Sequence, residues 1–240
     1  MTDKRESTSL LLESVVIVVS ILLAFAIDAM WDDYQESQTK SELIELLIVD
    51  FEVTAERLKE AIAAHQIHID QNKRFLEIMS SGEPIERNEF SELAYSFVTV
   101  EFFEPALSTY ESAIGRDGLA SIHSPKLSQS ITEFSEHLET FDYHMEVFKD
   151  IYYLGSMNDI RTKVGSWGVL LRGDTECTAR SCIYPEELDM NMDELRAFVV
   201  RPDVFAGFES SRIVQINLFG ALLEMDSATA NILAELKSMR

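Results

Sequence analysis

Basic residues are scarce in this chain: 20 lysines and arginines stand against 42 aspartates and glutamates in 240 residues, a formal charge of −22. Such a surface repels a polyanion at long range, which excludes DNA and RNA as main partners. The same imbalance argues against a domain lying flat on anionic lipid, and favours a solvated surface or contact with a basic protein patch. Cysteine is nearly absent, with Cys177 and Cys182 the only two. No tract of low complexity and no repeat of fixed period is present, so repeat architectures are unsupported. The chain also lacks a Gly-x-Ser-x-Gly elbow, a Walker loop, a dinucleotide fingerprint and a His-Glu-x-x-His pair. Ser37-Gln38-Thr39-Lys40 matches the Ser-x-x-Lys of penicillin-interacting enzymes, but without that fold's companion motifs it is a chance match. Gly115-Arg116-Asp117-Gly118 reads as a turn between helices rather than a phosphate cradle.

What the chain does have begins at Leu10. From there to Met30 the residues are almost all apolar, with Glu13 and Asp28 the only charges, and about 20 such residues in a helix span a bilayer core. Glu13 and Asp28 are separated by roughly 22 Å of helix rise, so each reaches a headgroup region and neither needs a proton-relay role. Trp31 and Tyr34 fall where an interfacial aromatic belt belongs. Lys4 and Arg5 precede the span, whereas the first twelve residues after Ile27 carry Asp28, Asp32, Asp33 and Glu36 and no base until Lys40. The positive-inside rule therefore places residues 1–9 in the cytoplasm, a transmembrane helix over 10–31, and residues 32–240 on the periplasmic side of a bacterial inner membrane. The rival reading is a cleaved signal peptide, with Val15 to Leu23 as its apolar region and Ala24-Phe25-Ala26 as the cleavage site, although the stretch is long for that purpose. Either reading delivers the domain to the same side. Cys177 and Cys182 suit that address, because a disulfide closing a small polar loop forms outside the cytoplasm; no further thiol or imidazole nearby completes a zinc set, and the spacing is not that of a Cys-x-x-Cys redox pair.

Hydrophobic residues make up 46% of the chain, enough for one packed domain beside the anchor. Leu43, Leu47, Phe51, Thr54, Leu58, Ile62, His65, Ile69, Asn72, Leu76 and Met79 recur at steps of three and four, which predicts one long amphipathic helix running on from the anchor. Ser80-Ser81-Gly82-Glu83-Pro84 ends it. A short helix is expected from Asn88, as its cap, to Val100, and another from Pro105 to Gly115. Ser124-Pro125 opens a second long helix with the heptad-like stripe Leu127, Ile131, Phe134, Leu138, Phe141, Met145, Phe148 and Tyr152, expected to pack antiparallel on the first. Glycines at 165, 168 and 173 break the period, so about 165–185 is expected as an irregular hairpin or loop holding the cysteines. Glu186 to Phe198 predicts a short helix, and Pro202 begins a last long one with the stripe Phe205, Phe208, Ile216, Phe219, Leu223, Ala230 and Leu233. The fold class is all-α: an N-terminal transmembrane helix followed by an extracytoplasmic antiparallel helical bundle.

The anchor Leu11-Leu12-Glu13 through Ile21-Leu22-Leu23-Ala24-Phe25, the exit Asp28-Ala29-Met30-Trp31, and Thr109-Tyr110-Glu111-Ser112 to Gly118-Leu119 together resemble a bacterial family of small single-pass membrane proteins of unknown function. The resemblance covers roughly the first 150 residues. It implies a membrane helix leading into a long helix, a tyrosine-and-glycine turn and another long helix, and it carries no catalytic residues.

Few constellations suggest chemistry. His65 and His68 on the first long helix, with His137, His144 and Glu133 on the second, would form a shared metal site if the two helices packed antiparallel. The spacing is not the Glu-x-x-His of di-iron bundles, so ordinary core or edge histidines and no cofactor are expected. Asp189-Met190-Asn191-Met192-Asp193 copies the opening of a calcium loop, but Glu194 occupies the glycine position and Val200 that of the bidentate glutamate, leaving a solvated acidic turn. Trp167, Tyr152, Tyr153 and Phe102-Phe103 are expected in the core, with an exposed contact patch or the lipid surface as alternatives. The function these features favour is a non-catalytic accessory or scaffold subunit, docking on an integral membrane protein complex through Glu13, Asp28, Trp31 and the helix beyond, with self-association left open. The alternatives are a ligand or stress sensor acting through a partner and, third, a metal-dependent enzyme using the histidines.

Overall fold

The computed structural model describes residues 3–114, 122, 124–158 and 191–240, and side chains within those ranges from residue 20 onward except that of 114. Among the described residues the chain forms, in order, helices α1 Asp3–Ser81, α2 Arg87–Tyr95, α3 Ser108–Ile114, α4 Pro125–Tyr153, α5 Met192–Val199 and α6 Pro202–Ser238. No strand occurs among the described residues, so the protein is all-α. The expected continuity of the first long helix with the segment before it is present in α1. Among the described residues no helix is long and apolar enough to cross a membrane. The side chains of residues 10–19 of the expected 10–31 anchor, Glu13 included, lie outside them, as do Cys177, Cys182 and the 165–185 insert.

The described chain divides into two compact units. The first comprises residues 1–50, 108–123 and 236–240. It buries Ile44, Leu47, Ile48, Ala113, Ile122 and Leu236, and the Asp50 carboxylate accepts from the Thr109 backbone N–H at 2.7 Å, satisfying a donor in the first turn of α3.

The second unit, residues 51–107 and 124–235, holds the larger core. Phe75 lies at its centre, with the rings of Phe90, Phe97 and Phe208 at 5.3, 5.3 and 5.1 Å between centroids, and Leu195, Phe198 and Val199 of α5 close the same cluster. The stripe expected on α1 is the buried face here: Phe51, Thr54, Leu58, His65, Asn72, Leu76 and Met79 are all buried. So is most of the stripe on α4, and Ser124 caps that helix, its Oγ accepting from the Leu127 N–H at 3.2 Å, with Pro125 at the first helical position.

Three expectations are corrected. First, α4 runs parallel to α1. Phe51 meets Phe134 and, farther along both helices, His65 meets Phe141, with centroids 5.8 and 6.4 Å apart. The long non-helical return from residue 96 to 107 carries the chain back beforehand, and α6 supplies the antiparallel partner, with Phe208 against Phe75 and Gln215 against Asn72. Second, α6 buries a face different from the one its large residues mark. Val204, Phe208, Ser211, Gln215, Leu218, Leu222, Met225, Thr229, Ile232 and Leu236 are inside, while Ile216 and Leu223 are exposed. Ser211 and Gln215, which donate to backbone carbonyls inside the bundle, take places on that face that an apolar period would fill. Third, Asn88 lies within α2, whose N-cap position is Glu86, and the segment after Pro105 becomes helical only at Ser108.

At its C-terminal end α1 stops at Gly82, whose φ of +75° is readily adopted only without a side chain. Arg74 clamps Glu83 with two bonds of 3.1 and 2.9 Å, and Arg196 of α5 donates to the Gly82 carbonyl at 2.8 Å and to that of Glu83. Asn191 and Glu194 form a reciprocal capping box at the start of α5, the local use to which that part of the calcium-like sequence is put; Asp189 lies outside the described residues.

Candidate functional site

Polar residues on the buried face of a helix require partners, and α1 finds them in the strap that follows α2. His65 Nε2 donates to the carbonyl of Glu101 at 3.2 Å, and Arg57 Nη1 to that of Glu104 at 2.9 Å. Thr54 Oγ1 accepts from the Ala106 N–H at 3.0 Å and donates to its carbonyl at 3.5 Å. The order is antiparallel, falling along α1 as it rises along the strap. Between His65 and Thr54 the helix advances about 16 Å, a distance the strap covers in five residues, so each contributes about 3.3 Å, the rise of fully extended chain.

This extended backbone divides its side chains. Phe103 turns inward, 8% exposed, its ring edge-on to Phe141 at 6.1 Å, and Phe141 in turn stands edge-on to His65. Phe102 points out and is 80% exposed, the most exposed large apolar side chain among the described residues. A hollow of about 450 Å³ lies on its α4 side, lined by Phe141, Asp142, Tyr143, Glu146 and Lys149, and one of about 530 Å³ on its α1 side, lined by Arg57, Glu60, Ala61, Ala64, Glu101 and Glu104. Lys149 is taken up by Glu146 at 2.5 Å, which raises its pKa, and Arg57 by the strap's own backbone. The carboxylates of Glu60, Glu101, Glu104 and Asp142 form no ion pair among the described residues. Nor do the backbone groups of Phe102 and Phe103 form a hydrogen bond within the described protein. The result is an exposed aromatic ring on an extended chain with free backbone groups and an acidic rim.

Among the described residues, His65, His68, His137, His144 and Glu133 are not brought together as a group that could hold a metal ion. With α4 parallel to α1, His65 is spent on the Glu101 carbonyl and the Phe141 ring, and burial holds its pKa below the ordinary value, outweighing the raising effect of that hydrogen bond. Glu133 accepts from Gln129 at 2.9 Å, and His144 packs on Tyr143. His68 and His137 are half-buried, and no group of three His, Cys, Asp or Glu among the described residues is placed to hold a metal ion. In the first unit, Trp31 and Tyr34 stack obliquely at 6.1 Å, Tyr34 accepts from Gln38 at 2.7 Å, and Asp28 is exposed. Every residue from Ser20 to Thr39 is exposed, including Ile21, Leu22, Leu23, Phe25 and Ile27.

Phe102 was expected in the core. The signal that it is not was local: two adjacent phenylalanines between glutamates cannot both face inward from extended chain. No protein-family model, curated protein or solved structure matches the chain.

Proposed function

We propose that the chain is a single-pass membrane protein, held by residues 10–31, that presents its acidic helical part outside the cytoplasm and serves as a non-catalytic accessory subunit of a larger membrane complex. The observation that carries the reading is the bare stretch of α1. Ile21, Leu22, Leu23, Phe25 and Ile27 point in different directions around the helix, and all of them are at least 50% exposed. A helix apolar on every side requires an apolar surrounding. Leaving five such side chains in water forgoes on the order of 10 kcal/mol. Lipid supplies the cover, Trp31 and Tyr34 sit at its edge, and Lys4 and Arg5 before the stretch, with no base after it until Lys40, set the direction.

The accessory role draws on the polar groups of the second unit, which serve its architecture: His65, Thr54, Arg57, Asn72 and Gln215 bond to other parts of the fold. The strap with Phe102 offers a partner a surface. Extraction in mild detergent from the native membrane, followed by mass spectrometry of what co-elutes, tests this. A stoichiometric membrane complex is the expected result; a monomeric, partnerless protein contradicts it.

A further inference from the structure

We infer that the strap from Glu101 to Glu104 is the docking edge for an extended, basic segment of the partner protein. This rests on the accessory-subunit reading and specifies the chemistry of the partner. Three independent features converge on it. The strap is already extended, so an incoming extended chain meets matched spacing; the free backbone groups of Phe102 and Phe103 face opposite edges, and one of the two pairs with it as one strand pairs with another. The rim is acidic on balance: Glu60, Glu101, Glu104, Asp142 and Glu146 outnumber Arg57 and Lys149, and Lys149 is engaged by Glu146 with Asp142 nearby. Phe102 stands between the two hollows with its ring faces exposed, where an arginine guanidinium or lysine ammonium gains both a π face and a carboxylate. An acidic partner segment would meet repulsion on both sides of the ring, and a neutral one would leave the carboxylates unmatched.

The strap is held rigidly enough to act as a template. Glu101, Glu104 and Ala106 are each tied to α1 by a side chain, so little further ordering is needed when a partner binds.

The test places p-benzoylphenylalanine at position 102 of the full chain in its native membrane, and sequences the cross-linked peptide after irradiation. The expected adduct lies in one partner segment with a net positive charge. Its yield falls about tenfold when Glu60→Lys and Asp142→Lys are combined, and in about 0.5 M salt. Those two positions lie on α1 and α4, outside the bonds that hold the strap, and an unchanged helical circular dichroism signal confirms that the fold is retained. An adduct on a neutral or acidic segment, or a yield indifferent to both charge reversal and salt, overturns the inference. A partner that co-elutes but gives no adduct from position 102 overturns it while leaving the accessory reading intact; a chain that elutes with no partner overturns the accessory reading itself, and the docking edge with it.

Discussion

The side-chain amides of Asn72 and Gln215, 143 positions apart in sequence, meet at 2.7 Å in the core of the second unit. Gln215 also donates to the carbonyls of Ser96 at 2.8 Å and Thr99 at 3.4 Å, and Ser211 donates to that of Phe97 at 2.6 Å. Side chains from α6 thereby satisfy the backbone acceptors left where α2 ends, and the fully buried Asn72 joins α1 to the same network.

Gln215→Leu leaves the Ser96 carbonyl and the Asn72 amide without these partners inside the bundle, which costs about 3 kcal/mol. Asn72→Leu costs about 2 kcal/mol by the same reasoning. Because both changes break one shared bond, the double variant loses less than the sum, by about 1 kcal/mol. Urea denaturation of the full chain in detergent, followed by circular dichroism, measures all three; strict additivity would refute the coupling.

Thr54→Val keeps the shape of the side chain and removes both bonds to Ala106. The expected stability loss is about 1–2 kcal/mol. The sharper readout is hydrogen exchange: the Ala106 amide loses protection, while amides in the middle of α4 change only with global stability. An Ala106 amide equally protected in both proteins would show that Thr54 does not hold the strap.

His65 gives the strap a pH dependence of definite sign. Burial lowers its folded-state pKa below the ordinary 6.5, against the raising effect of the Glu101 hydrogen bond. Above pH 6.5 both folded and unfolded chains carry it neutral, and the full stability is present. Below that value the unfolded chain takes up the proton first, so stability falls as pH drops toward the folded-state pKa, by at most about 1.4 kcal/mol per pH unit. His65→Gln removes this contribution. The difference in urea midpoint between the two proteins should therefore change between about pH 7 and pH 5.5 and be flat above pH 7. A difference independent of pH would contradict the assignment.

The local parts of this fold were legible in the sequence because their causes are local. The α1 stripe, the Ser124-Pro125 start of α4, the Gly82 stop and the Pro202 start of α6 each follow from periodicity, capping or backbone freedom within a few residues. Even Thr54, His65 and Asn72 were placed on the buried face. Their polarity was the overlooked clue: a helix that buries three hydrogen-bonding side chains on one stripe is facing non-helical chain or another buried polar group. The parallel course of α4 was hidden because it depends on the length of chain between helices, and heptad spacing reads the same in either direction. The buried face of α6 was missed because Ser211, Gln215 and Thr229 lie on it, while Ile216 and Leu223 mark the opposite side. Phe102 and its acidic rim depend on elements far apart in sequence, so composition gave only the general hint of a basic partner.

Membrane anchoring with the acidic part outside the cytoplasm fixes which end of the chain a protease can reach. The full chain, tagged at its C-terminus, is followed through alkaline carbonate extraction and then through protease treatment of spheroplasts and of inside-out vesicles. An anchored chain stays with the membrane pellet, and its tag is digested in spheroplasts and protected in inside-out vesicles. Release into the carbonate wash, or a tag protected in spheroplasts and digested in inside-out vesicles, would contradict this placement.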